Sequence, residues 1–225
     1  MSGSYPLSPG YKSAIVSFIQ PVHQTISGLG NVQTRVLGGR LTTVSLTYAP
    51  ERRAEFAVID SFIMRQRGRA EGFTFVMPDK AAPLGNVSGA PVLYDDYPAG
   101  VDTIVLDGMV PGVADAFVAA DIFNAPGYTL VHKVAFNADS QSANQRYLED
   151  GTPRLLEDST PRLMEDANTV TLIFSPPLIK NLSKGTAINY QNVAYTMKFK
   201  DDSQSVKISA MRTYHKQVEM IEYIS

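Results

Sequence analysis

The stretch Leu41-Thr42-Thr43-Val44-Ser45-Leu46-Thr47-Tyr48 puts Val44, Leu46 and Tyr48 on one face and Thr43, Ser45 and Thr47 on the other. A period of two in a run rich in β-branched residues is the pattern of a strand buried on one side. Comparable short runs occur at 14–19, 73–77, 102–106, 121–123, 128–136, 169–174, 193–199 and 206–211. Turn signals stand between many of them: Gly38-Gly39, Pro78-Asp79, Asp107-Gly108, Pro111-Gly112 and Pro126-Gly127. Many short strands punctuated by Gly and Pro predict a mainly β chain, built as a small barrel or sandwich.

One segment has a different period. Phe56, Ile59, Phe62 and Ile63 recur at spacings of three and four, which lines them along one stripe of a helix. Pro50 suits the first helical turn, Glu51 follows where a carboxylate favours the dipole, and Gly68 marks the stop. From 81 to 98 the composition shifts to Pro, Gly, Asn and Asp, which reads as a linker or an excursion from the first sheet. The alternation at 193–211 resembles that of the first third, so the final strands are expected to complete the first sheet around an inserted domain.

Residues 146–169 repeat an octad three times, beginning Arg146-Tyr147-Leu148-Glu149-Asp150, Arg154-Leu155-Leu156-Glu157-Asp158 and Arg162-Leu163-Met164-Glu165-Asp166. Proline every eighth residue forbids one continuous helix, so each octad is expected to be a short extended piece plus a turn. With three Arg against six Glu and Asp the octads carry −3, and the rest of the chain about +1 of the total −2. The simplest expectation is an expanded surface loop that covers no core; the sharper one is a hairpin touching a neighbouring subunit through Arg154, Glu157 and Asp158.

The near-neutral total disfavours general binding to nucleic acid. No apolar run approaches the roughly 20 residues of a membrane span, and the amino terminus has no basic-then-apolar leader, which predicts synthesis and folding in a cytoplasm. Cysteine is absent, so disulfides and thiolate chemistry are excluded. His23, His132 and His215 are far apart, with no metal-ligand spacing, and nucleophile-elbow and phosphate-loop patterns are missing. His132 reads as a surface or satisfied residue. The carboxylate pairs Asp95-Asp96 and Asp201-Asp202 read as solvated turns. No catalytic, cofactor or metal residue is expected. Arg52, Arg53, Arg65, Arg67 and Arg69 make a basic helix, read as a charged outer face or as ion pairs to a neighbouring protomer.

The order of these pieces carries a resemblance. The strand Leu41–Tyr48, the helix with Phe56-Ala57-Val58-Ile59-Asp60-Ser61-Phe62, and Arg67-Gly68-Arg69 followed by Phe73-Thr74-Phe75-Val76-Met77-Pro78 are similar to the amino-terminal part of distal tail proteins. These proteins belong to long, non-contractile-tailed phages of Gram-negative bacteria. Ala120-Asp121-Ile122-Phe123, the run from Tyr128 to Val134 and Val170-Thr171-Leu172-Ile173-Phe174-Ser175-Pro176-Pro177-Leu178 resemble the inserted barrel of that family. Ala120 stands where the family often has Gly.

The resemblance implies a β-sandwich-like ring domain with one helix over 1–85 and 182–225. It is interrupted over 86–181 by an oligonucleotide/oligosaccharide-binding (OB) type barrel that contains the octads. It also implies a virion protein with no enzymatic activity and no cofactor. Its homo-hexameric ring at the distal end of the tail tube would touch the tube protein and the tip, hub or fibre proteins. Nucleic-acid specificity and membrane insertion are not expected. A competing expectation is a carbohydrate-binding module that holds host polysaccharide on its barrel through Tyr94, Tyr97 or Tyr128. A third is a hydrolase whose site is invisible in sequence.

Overall fold

A computed structural model describes residues 3–28, 30–36, 40–140, 168–202, 204–209 and 213–223, and the chain is mainly β with one α-helix among the described residues. It divides into two units, 1–77 with 194–225 and Pro78–Val193. In chain order the first unit supplies β1 (Tyr11–Ile19), β2 (Val22–Ile26), β3 (Val32–Val36), β4 (Leu41–Tyr48), α1 (Arg53–Arg65) and β5 (Phe73–Val76). The second supplies a single 3-10 turn (Pro78–Lys80), β6 (Gly89–Leu93), β7 (Thr103–Met109), β8 (Ile122–Phe123), β9 (His132–Val134) and β10 (Val170–Ser175). The chain then returns to the first with β11 (Ala194–Phe199), β12 (Lys207–Ile208), β13 (Tyr214–His215) and β14 (Gln217–Glu222).

The unit boundaries fall at 77/78 and 193/194 rather than at 85/86 and 181/182. The linker explains the first shift. Asp121 accepts hydrogen bonds from the backbone N–H groups of Leu84 (2.6 Å) and Gly85 (3.1 Å), which ties the linker to the barrel. Asn192 N–H donates to the Ala81 carbonyl at 2.7 Å and ties down the far end. Gly85 lies so close to the chain that a Cβ there would stand 2.4 Å from the Ala116 carbonyl oxygen, so only glycine fits.

In the first unit the antiparallel order is β1-β4-β14-β11-β5. Strand β4 buries every second residue, Thr42, Val44, Leu46 and Tyr48, as its alternation predicts. Helix α1 contributes Phe56, Ile59, Phe62 and Ile63 to the buried core of this unit. Each such side chain contributes about 1.5–3 kcal/mol. Phe62 meets Tyr5 and Phe73 edge-on at centroid distances of 5.2 and 5.3 Å, and the Tyr5 and Tyr48 hydroxyls bond at 2.8 Å within the core. The helix starts three residues after Pro50, because Glu51 is held extended by reciprocal backbone bonds to Tyr214 (3.1 and 2.9 Å). Arg52 becomes the N-cap, its N–H donating to the Glu55 carboxylate at 3.2 Å.

The strand that completes this sheet between β4 and β11 is β14, not the run at 206–211. Of that run, β12 pairs only with β13 in a two-stranded sheet. Strand β14 turns Val218, Met220 and Glu222 inward, and the buried Glu222 accepts the Thr42 N–H at 3.0 Å.

The second unit is a curled five-stranded sheet in the order β6-β7-β10-β9-β8. Its two edges are joined by 185–189. Gly185 and Ile188 donate to Leu93 and Pro91 on β6, and Leu93 donates to Thr186, at 2.8–3.0 Å. Asn189 exchanges backbone bonds with Asn124 beside β8 at 2.8 and 2.9 Å. The strands thus enclose one apolar core that includes Leu93, Ile104, Leu106, Phe117, Phe123, Leu172 and Phe174.

Three readings of this region change. Strand β6 lies inside the stretch taken as a linker. Asp107-Gly108 is no turn but part of β7, where Gly108 at φ +79° serves a register shift against β6. Strand β9 is only three residues of the expected nine, since Gly127 turns at φ +76° and Tyr128 N–H bonds back to Ala125.

Ala120 has φ +84°, a left-handed conformation in which a Cβ crowds the backbone. Ala120→Gly is therefore expected to stabilise the barrel by about 0.5–1 kcal/mol, the relief of strain outweighing the added freedom of the unfolded chain. Urea unfolding of the two proteins checks it; a less stable Gly variant contradicts it.

Candidate functional site

Two surfaces stand out, one in each unit. In the first, β2 and β3 form a two-stranded ribbon with the pairs Val22↔Val36, Gln24↔Thr34 and Ile26↔Val32 in register. Alternation puts Val22, Gln24, Ile26, Val32 and Thr34 on one face and His23, Thr25, Gln33 and Arg35 on the other. Val22, Ile26 and Val32 are 52%, 68% and 54% exposed, so an apolar ribbon face meets solvent in the single chain. Strand β1 precedes it and is terminal in its sheet, with Ile15, Phe18 and Ile19 exposed. The Arg40 guanidinium lies 3.8 Å over the Phe18 ring. Two-stranded ribbons are marginal alone, and a long apolar edge strand is a template for pairing.

The arginines expected to contact a neighbour are all exposed on or beside α1, but they do not act as one set. Arg69 is already paired with Asp202 within the unit, at 3.0 Å to the carboxylate and with its own N–H on the same group at 3.0 Å. Arg65 lies 5.5 Å over the Phe62 ring. Arg52 caps the helix; Arg53 and Arg67 are exposed. Arg154, Glu157 and Asp158 lie outside the described residues, as do most of the octads.

On the barrel, 96–98 and 181–183 line a cleft of about 350 Å³. Reciprocal backbone bonds between Tyr97 and Leu182, 2.8 and 2.9 Å, hold its two walls together. Asp96, Asn181 and Tyr97 are each aimed by one bond from a backbone N–H. Asp96 accepts from Lys184 N–H at 2.7 Å, and Asn181 accepts through its amide oxygen from Ala99 N–H at 2.9 Å. The Tyr97 hydroxyl accepts from Val105 N–H at 2.8 Å. The second carboxylate oxygen of Asp96, the amide NH2 of Asn181 and the Ser183 hydroxyl remain for a ligand.

The three tyrosines expected at a glycan site have three different positions. Tyr97 lines the cleft, with Pro98 beside it. The Tyr128 hydroxyl is bound by both the N–H and the carbonyl of Lys180, so it buttresses the wall, and its ring does not line the cleft. Lys184 Nζ lies 5.2 Å over the Tyr94 ring. Sequence reasoning missed Asp96, Asn181 and Ser183 as a set. They come from segments more than eighty residues apart, and no local pattern joins them.

A second hollow of about 230 Å³, lined by Lys80 and the linker residues Pro83 and Leu84 with Ile122 and Tyr190, is mainly apolar. Asp121 at its margin is fully used by backbone N–H groups.

His132 is buried rather than at the surface, between Phe123 (5.4 Å) and Phe174 (4.9 Å). Its Nδ1 lies 2.7 Å from the Pro176 carbonyl, which can only accept, so Nδ1 carries the proton. Nε2 is buried with no hydrogen-bond partner among the described residues. Burial pushes its pKa down to about 4, against a smaller upward effect of the Pro176 bond. No group of three or more metal-ligating side chains occurs among the described residues. No family model matches the sequence, and no curated protein matches it.

Proposed function

We propose that the protein is a structural component of a phage tail, a homo-hexameric ring at the distal end of the tail tube that joins the tube to the tip and host-adhesion parts. The observation that carries this reading is the uncovered apolar face of the β2–β3 ribbon, continuous in sequence with the open edge of β1. A ribbon with Val22, Ile26 and Val32 in water has no reason to be ordered unless another surface covers them. A head-to-tail contact between identical copies repeats one interface until it closes, and closure removes the last exposed edge. The count of six, the tube and the tip or fibre partners rest on the resemblance to distal tail proteins.

The test pairs assembly with stability. Light scattering and negative-stain images of the purified chain are expected to show closed rings. Ile26→Lys with Val32→Glu replaces a facing apolar pair by a facing ion pair, so the hairpin register is kept while the apolar face is lost. The expected result is monomers whose unfolding is within about 1 kcal/mol of the unassembled wild type. A wild type that stays monomeric at high concentration overturns the ring, and antibody labelling of virions away from the distal end of the tube overturns its place.

A further inference from the structure

We propose that the cleft formed by 96–98 and 181–183 on the barrel is a binding site for a neutral pyranose sugar. The proposal goes beyond the ring and does not depend on it, because every residue used belongs to the second unit.

The argument is one of paired donors and acceptors. A pyranose presents adjacent hydroxyls that each donate and accept, and a C–H face that is apolar. Asp96 offers a carboxylate oxygen that only accepts, and Asn181 offers an amide NH2 that only donates. Together they match two neighbouring hydroxyls, one giving its proton to Asp96 and the other receiving one from Asn181. Ser183, which can do both, serves a third. Tyr97 and Pro98 supply the apolar surface against which the C–H face rests.

The site is also prepared in advance. Asp96, Asn181 and Tyr97 each spend one atom on a backbone N–H at 2.7–2.9 Å, and the two walls are locked by the Tyr97–Leu182 pair. Binding therefore freezes little that was free, which is what makes a shallow polar site usable. The volume, about 350 Å³, lies at the low end of small-ligand sites and suits one ring or two. Tyr128 acts as a positioning residue, since its hydroxyl grips Lys180 next to Asn181.

The experiment uses the full chain and ligand-observed saturation-transfer NMR. The probes are the methyl glycosides of glucose, galactose and mannose, their α- and β-linked trisaccharides, and the acyclic polyol sorbitol, each at about 10 mM, above the millimolar Kd of a weak site. The expected result is transfer to at least one cyclic sugar, strongest at protons of its C–H face, and none to sorbitol. A methyl glycoside bound as well as its trisaccharide identifies an end-group site; a better trisaccharide identifies a chain site.

Two substitutions reverse polarity while keeping the bonds that hold the fold. Asp96→Asn leaves an oxygen for Lys184 N–H, and Asn181→Asp leaves one for Ala99 N–H. Each is expected to weaken binding about tenfold or more, with unfolding unchanged, because the first loses a charge-assisted bond and the second adds a charge that a neutral ligand must desolvate. Tyr128→Phe is expected to weaken binding less and equally for every sugar that binds. No transfer to any sugar, equal transfer to sorbitol, or binding unaltered in both polarity variants overturns the proposal.

Discussion

Asp121→Ala is expected to destabilise the barrel by on the order of 4 kcal/mol, although the side chain lies outside the apolar core. The carboxylate is buried and accepts three backbone N–H groups: Leu84 at 2.6 Å on Oδ1, and Gly85 at 3.1 Å and Val118 at 2.9 Å on Oδ2. Bonds to an ionised acceptor are about twice as strong as neutral ones. The greater cost is what the truncation leaves behind, three N–H groups that have lost their common acceptor. Asp121→Asn is expected to recover little, since one of its two polar atoms would point donors at donors. Urea unfolding gives the magnitude, and hydrogen exchange at the Leu84, Gly85 and Val118 amides gives the place. A loss below about 1 kcal/mol, or unchanged protection at those amides, contradicts the account.

Acid is expected to weaken the barrel through His132. The folded pKa, about 4, lies below the ordinary value of 6.5 because burial opposes the charge. Above pH 6.5 both folded and unfolded chains hold a neutral ring, and the stability is complete. As the pH falls towards 4 the unfolded chain takes up a proton that the folded one refuses, so stability drops by about 1.4 kcal/mol per unit. The contribution of this one residue sums to on the order of 3 kcal/mol by pH 4. His132→Leu loses the bond to Pro176 and so starts lower at neutral pH, yet it is expected to lose less on acidification. Unfolding free energies of both proteins at several pH values from 7 to 4 test it. Parallel curves would show that His132 is not the group responsible.

The sequence disclosed the parts that obey a period and concealed those held by a single polar group. Strand β4 and helix α1 were legible because Val44, Leu46 and Tyr48, and Phe56, Ile59, Phe62 and Ile63, repeat at the spacing of their elements. Strand β14 was not, because its inward set ends in Glu222, a buried carboxylate that accepts the Thr42 N–H. Likewise β6 was hidden in a Pro- and Gly-rich stretch. Its edge is satisfied by 185–189, far along the chain, rather than by a neighbour that its own sequence announces.

The departure at Ala120 was visible as a residue type but not as strain until its φ of +84° was known. Of the glycan residues, aromatic type pointed to Tyr94, Tyr97 and Tyr128, whereas a place in the cleft depends on where each ring is set. That is a property of the folded backbone, and only Tyr97 kept a place in the cleft.

The octads have one further consequence. The Ser140 N–H bonds to the Val113 carbonyl at 3.0 Å, and the Asn168 carbonyl receives the Met109 N–H at 3.2 Å, so the chain departs and returns beside a single turn, 109–113. Closing a loop costs only about 0.6 kcal/mol for each doubling of its length. The distance between the anchors is therefore a parameter that folding does not meter. On the entropy of closure alone, gaining or losing one octad, or splicing another peptide between Ser140 and Asn168, changes the cost by well under about 1 kcal/mol, which marks this turn as a place to insert cargo.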